Sequence, residues 1–127
     1  MVSYAIIFLG GGLGAMARHA VGVAALRFAG SGFPMGTLVV NVFGSFLMGL
    51  FVGVLAARMG GSPELRLFVA TGFLGGFTTF SAFSLDAVSL WERGAFVEAV
   101  AYCAASVGLA LVALVAGLSV ARSFGAG

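Results

Sequence analysis

Residues 72–83 read Gly-Phe-Leu-Gly-Gly-Phe-Thr-Thr-Phe-Ser-Ala-Phe, and they fall in the middle of a segment apolar enough to span a membrane. This run resists a smooth helix. Each glycine costs about 1 kcal/mol against alanine in a helix interior, and the paired threonines add a smaller β-branched penalty. In hydrocarbon, a broken helix strands backbone N–H and C=O groups at several kcal/mol each. Such a break persists only where an ion, a water-filled path or a protein surface uses the freed groups. The run therefore predicts an ion or substrate site at mid-membrane depth.

The rest of the chain fits that setting. Its 127 residues are 61% hydrophobic and only 8% charged, and the mean hydropathy is +1.19. A soluble domain carries roughly a quarter charged residues, so the composition belongs to the membrane class. Long apolar runs, in place of ~10-residue alternating stretches, predict helices rather than a barrel. The expected fold is all-α, with four transmembrane helices: Tyr4 to Phe28, Met35 to Ala57, Leu65 to about Trp91, and Ala95 to Val120. Each reaches the ~20 residues that a bilayer crossing needs. Together they make residues 1–127 a single transmembrane domain, with no soluble domain and no linker of consequence.

Several alternatives are set aside by the same residues. The first span is not read as a cleaved signal peptide, because no Lys or Arg precedes Arg18 and the apolar stretch is too long. Cys103 is the only cysteine, so it forms no intrachain disulfide and reads as a small apolar residue. The six basic residues are scattered rather than clustered, which argues against a nucleic-acid partner. The cluster of Gly10, Gly11, Gly12 and Gly14 superficially resembles a phosphate loop, but no strand precedes it and no Lys-Ser/Thr follows. Close helix packing is the better account, with Gly10 and Gly14 as a GxxxG pair. The single histidine, His19, has no evident catalytic partner, so no enzyme chemistry is expected.

Arginine placement bears on topology. With four spans, Arg58, Arg66 and Arg122 lie on one side and Arg27 and Arg93 on the other, three against three if Arg18 reaches out from the end of span one. Orientation is set by an excess of such residues, and a balanced tally reads either as an ordinary topology weakly set or as copies inserted both ways and paired antiparallel. Four short helices are also too few to enclose a polar path alone, which argues for a homo-oligomer.

Inside the spans, polar residues form two stripes. Thr37, Asn41 and Ser45 share one face of span two, and Glu98, Tyr102 and Ser106 share one face of span four, each at i, i+4, i+8. The first stripe reads either as interhelical glue or as the wall of a hydrophilic path. Asn41 amide and hydroxyl hydrogens are neutral donors that can replace water around a small anion. Phe80 and Phe83 follow the break, and their ring edges carry the positive part of the quadrupole. Arg18 suits a pore mouth or headgroup contact. Asp86 reads as interfacial.

Three strings resemble the Fluc (CrcB) family of small fluoride channels. They are Gly11-Gly12-Leu13-Gly14-Ala15-Met16-Ala17-Arg18, the run from Gly36 through Asn41 to Phe46, and the run from Gly72 to Ser84. The resemblance covers nearly the full chain in order, and the third string is the most specific. The chain departs from the family pattern at Ala82, where a threonine is usual, and at Ala110 and Leu114, where the hydroxyl stripe of span four stops. The resemblance implies an antiparallel, dual-topology homodimer with two pores in the cell (inner) membrane. It implies a structural sodium ion at the dimer centre, held by the backbone carbonyls of Gly75 and Thr78. It implies a fluoride path along Asn41, Phe80, Phe83, Thr79, Ser81, Tyr102 and Ser106, with Arg18 in the vestibule. Its physiological counterpart would be passive fluoride export. A small multidrug exporter is the nearest rival architecture, but that class needs a carboxylate in its first span, and none is present here. A non-transporting membrane subunit is the other rival.

Overall fold

The computed structural model describes residues 1–58 and 61–125; a few positions of the expected 1–127 domain therefore lie outside the described residues. Helix α1 runs over Val2–Ala29 and α2 over Met35–Ala57. The third span is in two pieces. Its first piece, α3, covers residues 63–77, and its second, α4, covers Phe80–Glu92. Helix α5 is Phe96–Gly125. These segments give four helical spans long and apolar enough to cross a membrane, and the described residues contain no strand. The protein is thus a multi-pass, all-helical membrane protein.

Glycines decide how the helices meet. α1 crosses α3 with backbone against backbone. A Cβ added at Gly10 would lie 2.6 Å from the Phe68 carbonyl oxygen and 3.1 Å from Gly72 Cα. One added at Gly14 would overlap the Phe73 carbonyl oxygen, and one at Gly76 would overlap that of Gly11. The expected Gly10–Gly14 packing pair is therefore present, and Gly72 and Gly76 form its counterpart on α3. A second glycine contact joins α2 to α5: Gly49 lies on the Leu114 carbonyl, and Gly117 on the Phe46 carbonyl. Without water to drive association, close van der Waals approach of this kind is the main source of helix–helix affinity in a bilayer.

α3 opens with a conventional N-terminus, where Ser62 Oγ accepts from the Leu65 N–H at 3.0 Å and Pro63 occupies the first turn. From Leu67 to Leu74 the helix widens to π geometry. That stretch contains Phe68 and Gly72, whose backbones receive α1. Nothing in the residue pattern announced this widening. α4 and α5 form a tight antiparallel hairpin through Gly94, whose φ of 83° suits glycine. Leu90, Ala99 and Tyr102 make the buried core of that hairpin, with Phe33 and Phe83 packed on it.

A broken span and its candidate ion site

The break lies at Thr78 and Thr79, both with extended backbone (φ, ψ of −87°, 157° and −152°, 125°). Gly75 and Gly76 remain helical. Gly76 thus serves close approach of α1 while Gly75 stays exposed, and the interruption begins two residues past the pair that the propensity argument emphasised. Two threonines are easily held extended, provided their backbone groups find other partners.

Asn41 on α2 supplies those partners. Its Nδ2 donates to the Thr79 carbonyl at 2.9 Å, and its Oδ1 accepts from the Thr79 N–H at 2.8 Å. The side-chain amide thus stands in for a peptide group and pairs both backbone atoms of one residue. Thr79 Oγ1 caps α4 by accepting from the Ala82 N–H at 3.1 Å, and lies 3.3 Å from Ser81 Oγ. Thr78 Oγ1 donates back to the Leu74 carbonyl at 2.9 Å. Arg18 on α1 donates Nε to the Gly76 carbonyl at 3.2 Å. Both Asn41 and Arg18, expected as pore and vestibule residues, therefore also hold the interruption open. A single sequence offers no signal for the Arg18 contact, which joins residues 58 apart.

The carbonyls at the end of α3 can be accounted for one by one. In an unbroken helix the oxygens of Gly75 to Thr79 would accept from N–H groups four residues on. Here the Thr79 N–H goes to Asn41 and the Ala82 N–H to Thr79 Oγ1. Gly76 is satisfied by Arg18 and Thr79 by Asn41. Among the described residues, the carbonyl oxygens of Gly75, Phe77 and Thr78 receive no donor. The described residues also contain no cluster of three or more His, Cys, Asp or Glu side chains able to hold a metal. The donor set at the break is neutral backbone oxygen, which suits a hard cation such as sodium. Gly75 is exposed on the surface of the single chain.

The aromatic and hydroxyl residues line up past the break. The ring of Phe83 lies 5.4 Å from that of Phe80 and 5.3 Å from that of Tyr102. Phe33 meets Tyr102 edge-on at 5.5 Å. Tyr102 is fully buried and donates its hydroxyl to Asp86 Oδ2 at 3.0 Å. Asp86 is half-buried. One clue to this pair was available: Asp86 and Tyr102 are each eight residues from Gly94, so an antiparallel hairpin places them abreast. One turn beyond Tyr102, Ser106 is buried and its Oγ has no hydrogen-bond partner. A lone buried hydroxyl in hydrocarbon is costly and marks a position able to donate to something else.

A cavity of about 450 Å³ opens at the far end of α1. Arg18, His19, Asp86 and Arg93 supply its charged and titratable lining, and Ser31, Thr37, Thr79 and Ser89 its hydroxyls. Phe80, Phe83, Ser81, Tyr102 and Ser106 do not line it, and Phe80 is 76% exposed. Within one chain, then, the expected path residues flank the break but do not form one enclosed channel.

A four-span helical bundle with an interruption inside its third span, freed carbonyls on one side of it and neutral donors on the other, has the design of a small ion-handling membrane protein. The sequence matches the family profile described as CrcB-like protein, Camphor Resistance (CrcB), over residues 5–118. The chain is 55% identical over 123 residues to a protein of Mesorhizobium japonicum named fluoride-specific ion channel FluC, covering 97% of this chain and 98% of that one. It is 54% identical to the protein of the same name from Rhizobium johnstonii and 51% to that from Agrobacterium fabrum, with the same coverage. The chain belongs to the CrcB (Fluc) family, a family of ion channels and not of enzymes.

Proposed function

We propose that this protein is a fluoride-selective passive channel, working as an antiparallel, dual-topology homodimer in the cell inner membrane and exporting cytoplasmic fluoride. The name carried by its relatives supports the substrate. The observation that carries the mechanism is the interruption at Thr78–Thr79, where the two ends of one span offer opposite chemistry. α3 ends in unpartnered carbonyls, the negative end of a helix dipole, and α4 begins with free N–H groups, the positive end of another.

On the cation side, the carbonyls of Gly75 and Thr78 from two oppositely inserted subunits would hold a structural sodium ion. That ion supplies fixed positive charge, which offsets part of the cost of an anion in low dielectric. Pairing two chains across this face would also satisfy oxygens that are otherwise stranded at several kcal/mol each. The exposure of Gly75 supports such a contact.

On the anion side, fluoride is small and holds its water tightly, so it enters only where close donors replace that water. Arg18 keeps charge at the cavity. Asn41 has a second amide hydrogen beyond the one it gives to Thr79. The hydroxyls of Thr79, Ser81 and Ser106 and the ring edges of Phe80 and Phe83 continue the series, with Tyr102 packed beside Phe83. Neutral donors in a narrow path disfavour bulkier chloride. Export follows from membrane potential, inside negative, acting on the free anion.

A fluoride-electrode efflux assay on purified protein in vesicles, with chloride as competitor and with or without sodium, tests this reading. Fluoride should leave when a potential is supplied, chloride should not, and sodium removal should silence the protein. Vesicles that stay inert in sodium would leave a non-transporting subunit as the better account. Drug efflux collapsed by a proton uncoupler would favour the exporter.

A further inference from the structure

We propose that Arg93 is a second cationic residue of the anion entrance, acting by its charge on fluoride at the cavity mouth. This inference rests on the channel reading above. The cavity has an inner and an outer end. Arg18 marks the inner end, bonded to Gly76 at the interruption. Arg93 marks the outer end, where it terminates α4 and donates Nη2 to the Gly32 carbonyl at 2.6 Å in the loop between α1 and α2.

A staple for that loop is the plainer role for Arg93, and its position also suits the negative end of α4. Neither role consumes its charge. A carbonyl is neutral, and one bond leaves the guanidinium with further N–H donors. Among the described residues Arg93 has no carboxylate hydrogen-bond partner, and Asp86 is already engaged by Tyr102. Asp86 also lies seven residues back, roughly 10 Å along the helix axis. The other charged or titratable groups facing the cavity are Arg18 and His19 on α1. Counting two arginines against one aspartate, with histidine neutral, the lining carries a formal charge of +1. Removing Arg93 takes it to zero, while Arg18 stays at the break.

Such an effect is screened by salt, because the Debye length falls from roughly 30 Å at 0.01 M to roughly 3 Å at 1 M. A loop staple is not screened in this way. A unit charge at roughly 8 Å from the ion in water-like dielectric changes its local concentration about two- to threefold. The experiment is initial fluoride efflux from neutral phosphatidylcholine vesicles, with sodium and fluoride fixed and ionic strength set by an impermeant salt. Arg93→Gln should be about two- to threefold slower than wild type at ~10 mM ionic strength and equal to it at ~1 M. Arg93→Lys should track wild type throughout. Ser31→Lys in the Arg93→Gln background should restore the low-salt rate, since Ser31 is exposed on the same rim. An equal deficit at both ionic strengths, no deficit at low salt, or no rescue by Ser31→Lys overturns the proposal. A wild-type protein that passes no fluoride is a distinct result, and it removes the channel reading itself.

Discussion

Replacing Asn41 with alanine removes both hydrogen bonds to Thr79 at once. The Thr79 N–H and C=O then lie half-buried in a membrane span with no replacement on α2. A buried polar group left without its partner costs roughly 1–3 kcal/mol. Interhelical bonds measured inside bilayers average nearer ~0.6 kcal/mol, because the unfolded reference also finds partners. Two groups on one residue give a loss of about 2–4 kcal/mol, between these limits. The change should appear as a lower denaturation midpoint of purified protein in detergent, followed by far-UV circular dichroism. Fluoride efflux should fall in parallel, because the same amide orients the start of α4. Ser45→Ala is the matched control: it lies one turn along the same face, and its hydroxyl makes no hydrogen bond among the described residues. A midpoint for Asn41→Ala indistinguishable from that of Ser45→Ala, with efflux intact, would refute the assignment of Asn41 as the brace of the interruption.

Three further outcomes are expected. Gly14→Val should prevent α1 from seating on α3, since even a Cβ there overlaps the Phe73 carbonyl, with a loss of about 3 kcal/mol or more. Gly12→Ala, where nothing lies within 4 Å of an added Cβ, should be neutral; monodispersity on gel filtration separates the two. Ser106→Ala removes a buried, unpartnered hydroxyl, so stability should hold or rise by up to ~1 kcal/mol while fluoride efflux falls several-fold. Loss of stability with efflux unchanged would make Ser106 a packing residue. Phe80→Ile and Phe83→Ile should each abolish or sharply reduce fluoride efflux while the protein still assembles; unaltered flux in both would take the rings out of the mechanism.

Much of this architecture was readable in the sequence because membranes restrict what a chain can do. Long apolar runs must be helices, and a helix interrupted in hydrocarbon must be compensated. Gly10 and Gly14 announced close packing for the same reason. The position of the break was harder. Local propensity pointed at Gly75-Gly76, yet these stay helical, with Gly76 seated against α1, and the chain yields at Thr78–Thr79, where Asn41 supplies the missing partners. Gly49 illustrates the same limit: it lies against the Leu114 carbonyl of α5, a contact that no spacing within α2 announces. The Arg18–Gly76 and Arg93–Gly32 bonds join residues 58 and 61 apart, and no spacing rule within one helix reaches them. The π-helical stretch contains the Phe68 and Gly72 backbones on which α1 seats, a tertiary contact outside any local pattern.

The most direct measurement is voltage-driven fluoride efflux from vesicles holding the purified protein and nothing else, with chloride in equal amount. The account predicts rapid loss of fluoride, retention of chloride, and silence once sodium is removed from both faces. Fluoride retained like chloride, in protein shown to be folded and inserted, would contradict it.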